Sequence, residues 1–364
     1  MSDPHFPDEN HQIKSDKTSQ YKSAEDSPTA QYQTRKKTSD MADYFLENEK
    51  LKQRMGLINQ EIERYLDKEQ IEPITLRDAA YHLILAGGKR LRSLILLLSC
   101  EAVGGDIKKV LPITVAVELL QTASLIHDDI IDDGLMRRGV QTVHRLYGDK
   151  IAILAGDLLI AWAIRLIGEF GTPELLRHIG SGGMQLCEGE AEDLLMSIEE
   201  QENLGETQYF HMVERKTAVF LKNAAFIGAM IGDATPTQRE VLVHYAELLG
   251  YAFQLRDDIL DLQSSQDVSG KTVRSDLRWK RNNYPLIYAL ESSSKTERKH
   301  SLETLDSGNL DYVLKLIEKT NAIHHTNELA KSFVSRAKQA LDDCEFPVKE
   351  LLNQVADFVL IRQY

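Results

Sequence analysis

The stretch Leu120-Gln121-Thr122-Ala123-Ser124-Leu125-Ile126-His127-Asp128-Asp129-Ile130-Ile131-Asp132-Asp133-Gly134-Leu135-Met136-Arg137-Arg138-Gly139 decides how the chain is read. An apolar run ends in Asp128, Asp129, Asp132 and Asp133, and a turn with two arginines follows. On a helix, Asp128 and Asp132 lie one turn apart on one face, with Asp129 and Asp133 beside them. At about 4 Å and an effective dielectric near 20, each like-charged pair costs roughly 4 kcal/mol before relaxation. A fold tolerates such a cluster when a cation sits in it. Oxygen-only ligands favour a hard ion, magnesium above all.

The pattern recurs at Phe253-Gln254-Leu255-Arg256-Asp257-Asp258-Ile259-Leu260-Asp261. One DDxxD arises easily on a solvated acidic helix face. Two copies, each closing an apolar helix and each followed by basic residues, make a strong signal. They predict two helices facing across a cavity, with magnesium bridging their carboxylates to an anion. Magnesium keeps few protein ligands and takes the rest from phosphate and water, so the expected ligand carries a diphosphate.

Cations stand where that ligand needs them. Gly87-Gly88-Lys89-Arg90-Leu91-Arg92 lies at a helix junction, where free backbone N–H groups also favour an anion. Arg137 and Arg138 follow the first cluster, Lys216-Thr217 lies mid-chain, and Lys271 and Arg281 follow the second cluster. Arginine grips phosphate oxygens in pairs, whereas lysine acts as a point charge. The cations fall into a set beside the metals and a metal-free set of Lys89, Arg92 and Arg138. Two diphosphate substrates are expected, one held through metal and one without.

Around these motifs the pattern is helical throughout. Leu51, Met55, Ile58, Ile62 and Tyr65 step by three and four. Thr75 with Asp78 reads as a capping box, opening a helix that stops at Gly87-Gly88. An apolar helix through Leu94–Ala102 stops at Gly104-Gly105, and the first aspartate helix is expected from about Ile113 to Asp133. Further helices are predicted over about Lys150–Glu169, Glu174–Ile198, Glu206–Ile231, Gln238–Asp261, Pro285–Leu290, Asp311–Lys319, His325–Leu341 and Val348–Arg362, with Gly, Pro, Asn and Ser at their boundaries. Strand alternation is absent. The expected class is all-α, a multi-helix bundle around a central cavity.

The 364 residues carry a net charge of −13, which argues against nucleic acid as a partner. Cys100, Cys187 and Cys344 are far apart with no CxxC, and read as reduced thiols in a cytoplasmic protein. The longest uninterrupted apolar runs, such as Leu94–Leu98, fall far short of the roughly 20 residues of a membrane span. No transmembrane segment and no signal peptide are therefore expected. Residues 1–44 are polar, with too few large apolar residues to order themselves, and are read as a disordered N-terminal tail. The tail is read as a solvated extension before a docking segment, and Met41 as an alternative start.

With these motifs the sequence resembles the trans-isoprenyl diphosphate synthases, the polyprenyl synthetases. The resemblance covers about residues 45–364, the expected catalytic domain. It rests on Gly87–Arg92, Asp128–Asp132 with Arg137-Arg138-Gly139, Gly156-Asp157, Lys216-Thr217, Phe253-Gln254 with Asp257, Asp258 and Asp261, and Lys271. It implies the isoprenoid synthase fold, a homodimer and a magnesium-dependent prenyltransferase. The reaction joins isopentenyl diphosphate head-to-tail to an allylic diphosphate, giving an all-trans polyprenyl diphosphate. By the same resemblance Asp128, Asp132 and Asp257 coordinate magnesium directly, while Asp129, Asp258 and Asp261 assist through water or neighbouring contacts. Arg137, Lys216 and Lys271 hold the allylic diphosphate, and Thr217 and Gln254 line its pocket. Lys89, Arg92 and Arg138 hold isopentenyl diphosphate. Gln121 stands where the family usually has histidine, and Arg281 where it usually has lysine.

The chain departs from the family at Lys280-Arg281-Asn282-Asn283-Tyr284-Pro285, where the usual glycine and threonine are missing. An altered lid over the diphosphate is expected, with changed kinetics and retained activity. Leu120, Ala123 and Ser124 are expected to wall the product tunnel. In the family a bulky aromatic at the Ala123 position tends to stop the chain early, so Ala123 and Ser124 suggest a product longer than about C20. Trp162 is read as core packing before a plug for that tunnel.

Weaker features receive structural readings. Gly180-Ser181-Gly182-Gly183 is read as a helix bend, and Glu188, Glu190, Glu192 and Asp193 as a solvated face. His127 is read as helix packing or support for the cluster, and His144 as structural. The rival enzymes are a geranylgeranyl diphosphate synthase and a class I terpene cyclase. A cyclase normally carries an Asn/Asp-x-x-Ser/Thr-x-x-x-Glu second motif in place of a second DDxxD. A di-iron bundle lacks support, since paired ExxH motifs are absent. The non-enzyme rival is a regulatory subunit of a heteromeric synthase, which is expected to lose aspartates or the arginine pair.

Overall fold

The computed structural model describes residues 48–195, 205–263 and 282–361. Helices dominate. They run α1 (Glu49–Lys68), α2 (Ile74–Leu85), α3 (Leu91–Ala102), α4 (Ile107–Ile131), α5 (Val143–Tyr147), α6 (Asp149–Phe170) and α7 (Pro173–Leu195). There follow α8 (Glu206–Val213), a π-helical segment (Glu214–Ala218), α9 (Val219–Ile231), α10 (Pro236–Gln263), α11 (Tyr284–Glu291), α12 (Lys295–Asp306), α13 (Asp311–Lys319), α14 (Ala322–Ala340), a 3₁₀ turn (Leu341–Asp343) and α15 (Lys349–Ile361). A two-residue antiparallel ribbon, β1 (Met136–Arg137) with β2 (Val140–Gln141), links α4 to α5. The all-α multi-helix bundle expected from the sequence is the one observed.

Two long helices organise the bundle. Most residues of α4 from Val110 to Ala123 are buried on every side, as expected of a helix through the middle of a core. It packs against α3 and α6, and α9 joins α3 to α10. On its far side α10 packs against α14. Each central helix carries its aspartates at the C-terminal end, where the helix dipole is already negative. That placement adds to the mutual repulsion and sharpens the need for cations.

Several local expectations change. α1 starts where Asn48 caps it, accepting from the Lys50 and Leu51 N–H groups at 3.0 and 3.2 Å, and its predicted stripe is buried. Thr75 and Asp78 do not form a capping box: Pro73 holds the N-cap position, Thr75 already lies in the first turn, and Asp78 pairs with Arg77. The capping box in this chain is Ser294 with Glu297, opening α12, a helix the spacing did not predict. α4 begins six residues earlier than expected because Asp106 caps it, and it continues through Pro112. Asp133 lies beyond its end with φ 46° and is exposed, so it leaves the aspartate cluster and faces His144 at 3.7 Å. The single helix expected over Glu206–Ile231 is interrupted by the π segment.

Gly180–Gly183 lies inside α7, which is helical on both sides of it, and Gly182 meets Asn223 of α9 so closely that a Cβ would lie 1.8 Å from Nδ2. The membrane-span expectation also changes. α4 and α6 are long and apolar enough to cross a membrane by length and composition, because isolated polar residues interrupt runs without lowering the average. The most apolar window is 72% buried inside the protein for α4 and 44% for α6. The three cysteines are free thiols: Cys100 is buried, Cys187 exposed and Cys344 between.

Candidate active site

The first cluster forms the last turn of α4. Asp128 and Asp132 are half-buried, whereas Asp129 is 1% exposed. Asp129 Oδ1 accepts from Arg137 Nε and Nη2 at 2.8 and 2.5 Å, so Arg137 is aimed at the cluster from the β1 ribbon. Burial, then Glu190, raises the Asp128 carboxyl to about 7, against the pull of Lys216 and Arg137. A carboxyl this strained by its surroundings is ready for a cation. Among the described residues no three such side chains converge closely enough to hold an ion by themselves. A hard cation here completes its shell from phosphate oxygens and water, which suits the two-cluster arrangement.

His127 turns away from the cluster and packs on α6. Its Nε2 lies 3.3 Å from the Ile153 carbonyl, and a Cβ on Gly156 would fall 2.2 Å from the same atom. Gly156 is therefore what lets α6 approach α4 at its aspartate end.

Lys216 lies in the π segment. Such segments widen one turn and recur at functional sites. Two glycines hold this one: a Cβ on Gly189 of α7 would be 2.6 Å from the Lys216 nitrogen, and one on Gly250 of α10 would be 2.5 Å from Ala218 Cα. Lys216 Nζ reaches Asp193 Oδ2 at 2.5 Å and Glu190 Oε2 at 2.9 Å, and the carboxylates hold its pKa above the usual range against the opposing effect of burial. Arg215 pairs with Glu188 and Glu192. The acidic run on α7 is therefore no solvated face: it neutralises the cations of the π segment, and Asp193 is only 7% exposed.

The second cluster is tied to the same segment. Thr217 Oγ1 donates to Gln254 Oε1 at 2.7 Å, and Gln254 Nε2 donates to Asp258 Oδ1 at 2.9 Å. The other Asp258 oxygen accepts from the Tyr209 hydroxyl at 2.7 Å and the Tyr284 N–H at 2.8 Å. Asp258 is 1% exposed, and burial lifts its carboxyl to about 7 against those three donors. It therefore anchors α10, α8 and α11 from behind, while Asp257 and Asp261 are half-buried on the neighbouring face. Asn283 caps α11 and donates to the Asp258 carbonyl at 3.1 Å, and Asn282 Nδ2 reaches Asp193 Oδ1 at 3.3 Å. The asparagines that depart from the family pattern thus fasten the base of this segment to both acidic groups. Lys271, Lys280 and Arg281 lie outside the described residues, as does the tail of residues 1–44.

Lys89, Arg92 and Arg138 gather at the Gly87–Arg92 turn. Lys89 and Arg92 are half-buried, and the Arg92 guanidinium stacks over Phe220 at 4.8 Å. Arg138, with φ 54°, donates to the Leu83 carbonyl at 2.6 Å. A Cβ on Gly88 would lie 2.8 Å from the Arg138 guanidinium carbon, so only glycine admits that approach. Gln121 is 8% exposed and its Oε1 has no hydrogen-bond partner among the described residues.

Along α4, Ala123 is fully buried while Leu120 and Ser124 are half-buried. The Ser124 hydroxyl turns back to the Gln121 carbonyl at 3.0 Å. Trp162 is 4% exposed and its ring lies 6.2 Å from that of Tyr81, between α6 and α2, which agrees with core packing. Sequence reasoning gave no site role to Glu190, Asp193, Asn282 or Asn283, which it noticed for other reasons, and missed Tyr209 and Glu118. Of these two only Glu118 carried a visible signal, as a lone acid inside the apolar run Ile113–Ala123.

The sequence model of the family described as polyprenyl synthetase matches residues 73–319. A short chain isoprenyl diphosphate synthase of Methanothermobacter thermautotrophicus is 37% identical over 302 residues, spanning 81% of this chain and 92% of its own. A geranylfarnesyl diphosphate synthase of Natronomonas pharaonis is 33% identical over 334 residues, spanning 86% and 96%. The crystal structure of a polyprenyl synthase from Caulobacter crescentus, complexed with calcium and isoprenyl diphosphate, superposes with a TM-score of 0.80 at 30% identity, covering 89% of this chain and 98% of that one. The chain belongs to the polyprenyl synthetase family and is an enzyme of the trans-prenyltransferase type.

Proposed function

We propose that the protein elongates an allylic diphosphate with isopentenyl diphosphate, in a magnesium-dependent reaction, to an all-trans product of C20 to C25. The observation that carries the reading is that both aspartate helices reach the π segment: Lys216 and its partner Glu190 act electrostatically on Asp128 of α4, and Thr217 is hydrogen-bonded through Gln254 to Asp258 of α10. Asp128, Asp132 and Asp257, supported by Asp129, Asp258 and Asp261, would hold magnesium, which would supply positive charge to the leaving diphosphate.

The chain's own groups do the rest. Arg137 and Lys216, with Lys271, stabilise the charge that gathers on the diphosphate as the allylic C–O bond breaks. Thr217 and Gln254 line its pocket. The apolar wall of Leu120, Ala123 and Ser124 excludes water from the allylic cation. Lys89, Arg92 and Arg138, with Gln121, hold isopentenyl diphosphate so that its double bond attacks that cation. A proton then leaves the condensed product for the released diphosphate. Residues 45–364 form the catalytic unit, with residues 1–44 an extension.

The expectation of a product longer than about C20 is not supported: the relatives include short chain, geranylgeranyl and geranylfarnesyl diphosphate synthases and favour C20 to C25. A homodimer belongs to the same reading: Ile153, Leu154 and Ile164 of α6 are exposed apolar residues suited to a second copy, which sedimentation tests. Cytoplasmic placement, supported by the free thiols, completes it. The deciding assay combines purified protein, magnesium, labelled isopentenyl diphosphate and a series of allylic primers. Labelled polyprenyl product is expected, and its absence with every primer overturns the reading.

A further inference from the structure

A buried ion pair underlies the metal-free cations. Arg90 enters α3 in the left-handed conformation, with φ 46°. Its guanidinium donates to Glu118 Oε2 at 2.8 Å, to the Ile84 carbonyl at 2.9 Å and to Asn59 Oδ1 at 3.4 Å. Ser93 Oγ donates to Glu118 Oε1 at 2.7 Å. The Arg90 and Glu118 side chains are 5% and 4% exposed. Burial raises the Glu118 pKa, but Arg90, Ser93 and Arg138 outweigh it and keep the group a carboxylate. Arg138, packed over Gly88, is opposed by burial and by the neighbouring Arg90, Arg137 and Arg92, and Glu118 is the carboxylate that offsets them.

An apolar pair of similar volume is often more stable than a buried ion pair. Glu118 also interrupts an apolar helix, between Val117 and Leu119. Stability alone gives this acid no reason to be there; what its contacts hold does. Through Arg90 it fixes the left-handed residue between Lys89 and Arg92, and with Arg138 that arginine grips the last carbonyls of α2, at Ile84 and Leu83.

We infer that Glu118 is a positioning residue for the metal-free diphosphate site, setting the Gly87–Arg92 turn and offsetting the charge crowded around Arg138. The inference rests on the assignment of isopentenyl diphosphate to that site. Glu118 touches no substrate; it shapes the cations that do.

Glu118→Gln keeps the side chain's shape and removes its charge. The expected result is a KM for isopentenyl diphosphate raised about tenfold or more, with turnover at saturation and the KM for the allylic primer within about threefold of wild type. Calorimetry with inorganic diphosphate gives a readout independent of activity. In EDTA, binding to the metal-free site weakens about tenfold, while the additional binding seen with magnesium stays within about twofold. The double variant Arg90→Met with Glu118→Leu removes both charges, and is expected to melt no lower than wild type while losing the same EDTA-resistant binding.

Unchanged binding in EDTA, or equal losses in both arms, overturns the inference. A wild-type protein that elongates primers but binds no diphosphate in EDTA also overturns it, and leaves the synthase reading standing. A wild-type protein that makes no product, yet loses EDTA-resistant binding on Glu118→Gln, sinks the synthase reading and keeps this one.

Discussion

Gly250→Ala tests whether the π segment sets the position of Lys216. The new Cβ would lie 2.5 Å from Ala218 Cα and 2.6 Å from its Cβ. Carbon atoms rest roughly 3.5–4.0 Å apart, so α10 and the π segment must separate by about 1 Å or more. Thr217 Oγ1 and Gln254 Oε1 now stand at 2.7 Å. Separation along that line takes them to about 3.7 Å, beyond a hydrogen bond. Overpacking of this kind costs roughly 1–3 kcal/mol of stability. Misplacing a catalytic group by about 1 Å costs on the order of 10²-fold in rate. The assay is steady-state elongation of an allylic primer, with urea unfolding run in parallel. Gly56→Ala is the control: nothing lies within 4 Å of that position in α1, so it is expected to stabilise by about 0.5–1 kcal/mol and leave turnover alone. A Gly250→Ala enzyme that turns over within about threefold of wild type refutes the argument, because Lys216 would then keep its place without this packing.

The Asp128 carboxyl, raised to about 7 chiefly by burial, carries a proton below that pH in the metal-free protein, so a cation must displace it. Magnesium affinity, measured with inorganic diphosphate by calorimetry, is expected to fall as the pH drops below about 7, and Glu190→Gln to move that fall to lower pH; a flat profile contradicts this. Tyr209→Phe removes a donor to Asp258 and is expected to cost about 1–3 kcal/mol in urea unfolding. The Asp258 carboxyl then rises further above its unfolded value, the folded state binds more protons, and the loss is greater at about pH 8 than at about pH 6; equal losses at both pH values argue against it. Ala123→Phe fills a fully buried position on α4 and is expected to shorten the product, as read by chromatography; unchanged length removes Ala123 from the tunnel wall.

Both aspartate clusters and the helical class were legible because they depend on local spacing, which a helix converts directly into shared faces. Asp128, Asp132, Asp257 and Asp261 needed no tertiary information to be placed on common faces. Asp133 failed for a local reason: α4 ends at Ile131, and the residue two positions on has left the helical register. Glu190 and Asp193 were illegible for a different reason. An acid on an amphipathic helix looks the same whether it meets water or a lysine from a later segment, and Lys216 is 23 residues beyond Asp193. The π segment has no compositional mark at all. It follows from how α7 and α10 close around it through Gly189 and Gly250, and glycine inside a helix reads in sequence only as a weak point. Asn282 and Asn283 looked like losses from a family pattern, whereas their contacts show a substitute fastening.

α4 carries Glu118 at one level and Asp128 about 15 Å further along, given the helical rise per residue. The two proposed diphosphate sites are therefore spaced by a single rigid element with a fixed reading frame. One residue inserted between them adds only about 1.5 Å but rotates everything beyond it by about 100°. Asp128 and Asp132 would then turn away from Arg137 and the π segment while Glu118 stayed in the core. Side chains in this interval can change one at a time, but its length cannot, and variation in spacing between the two substrates has to be sought in the turns that flank the helix.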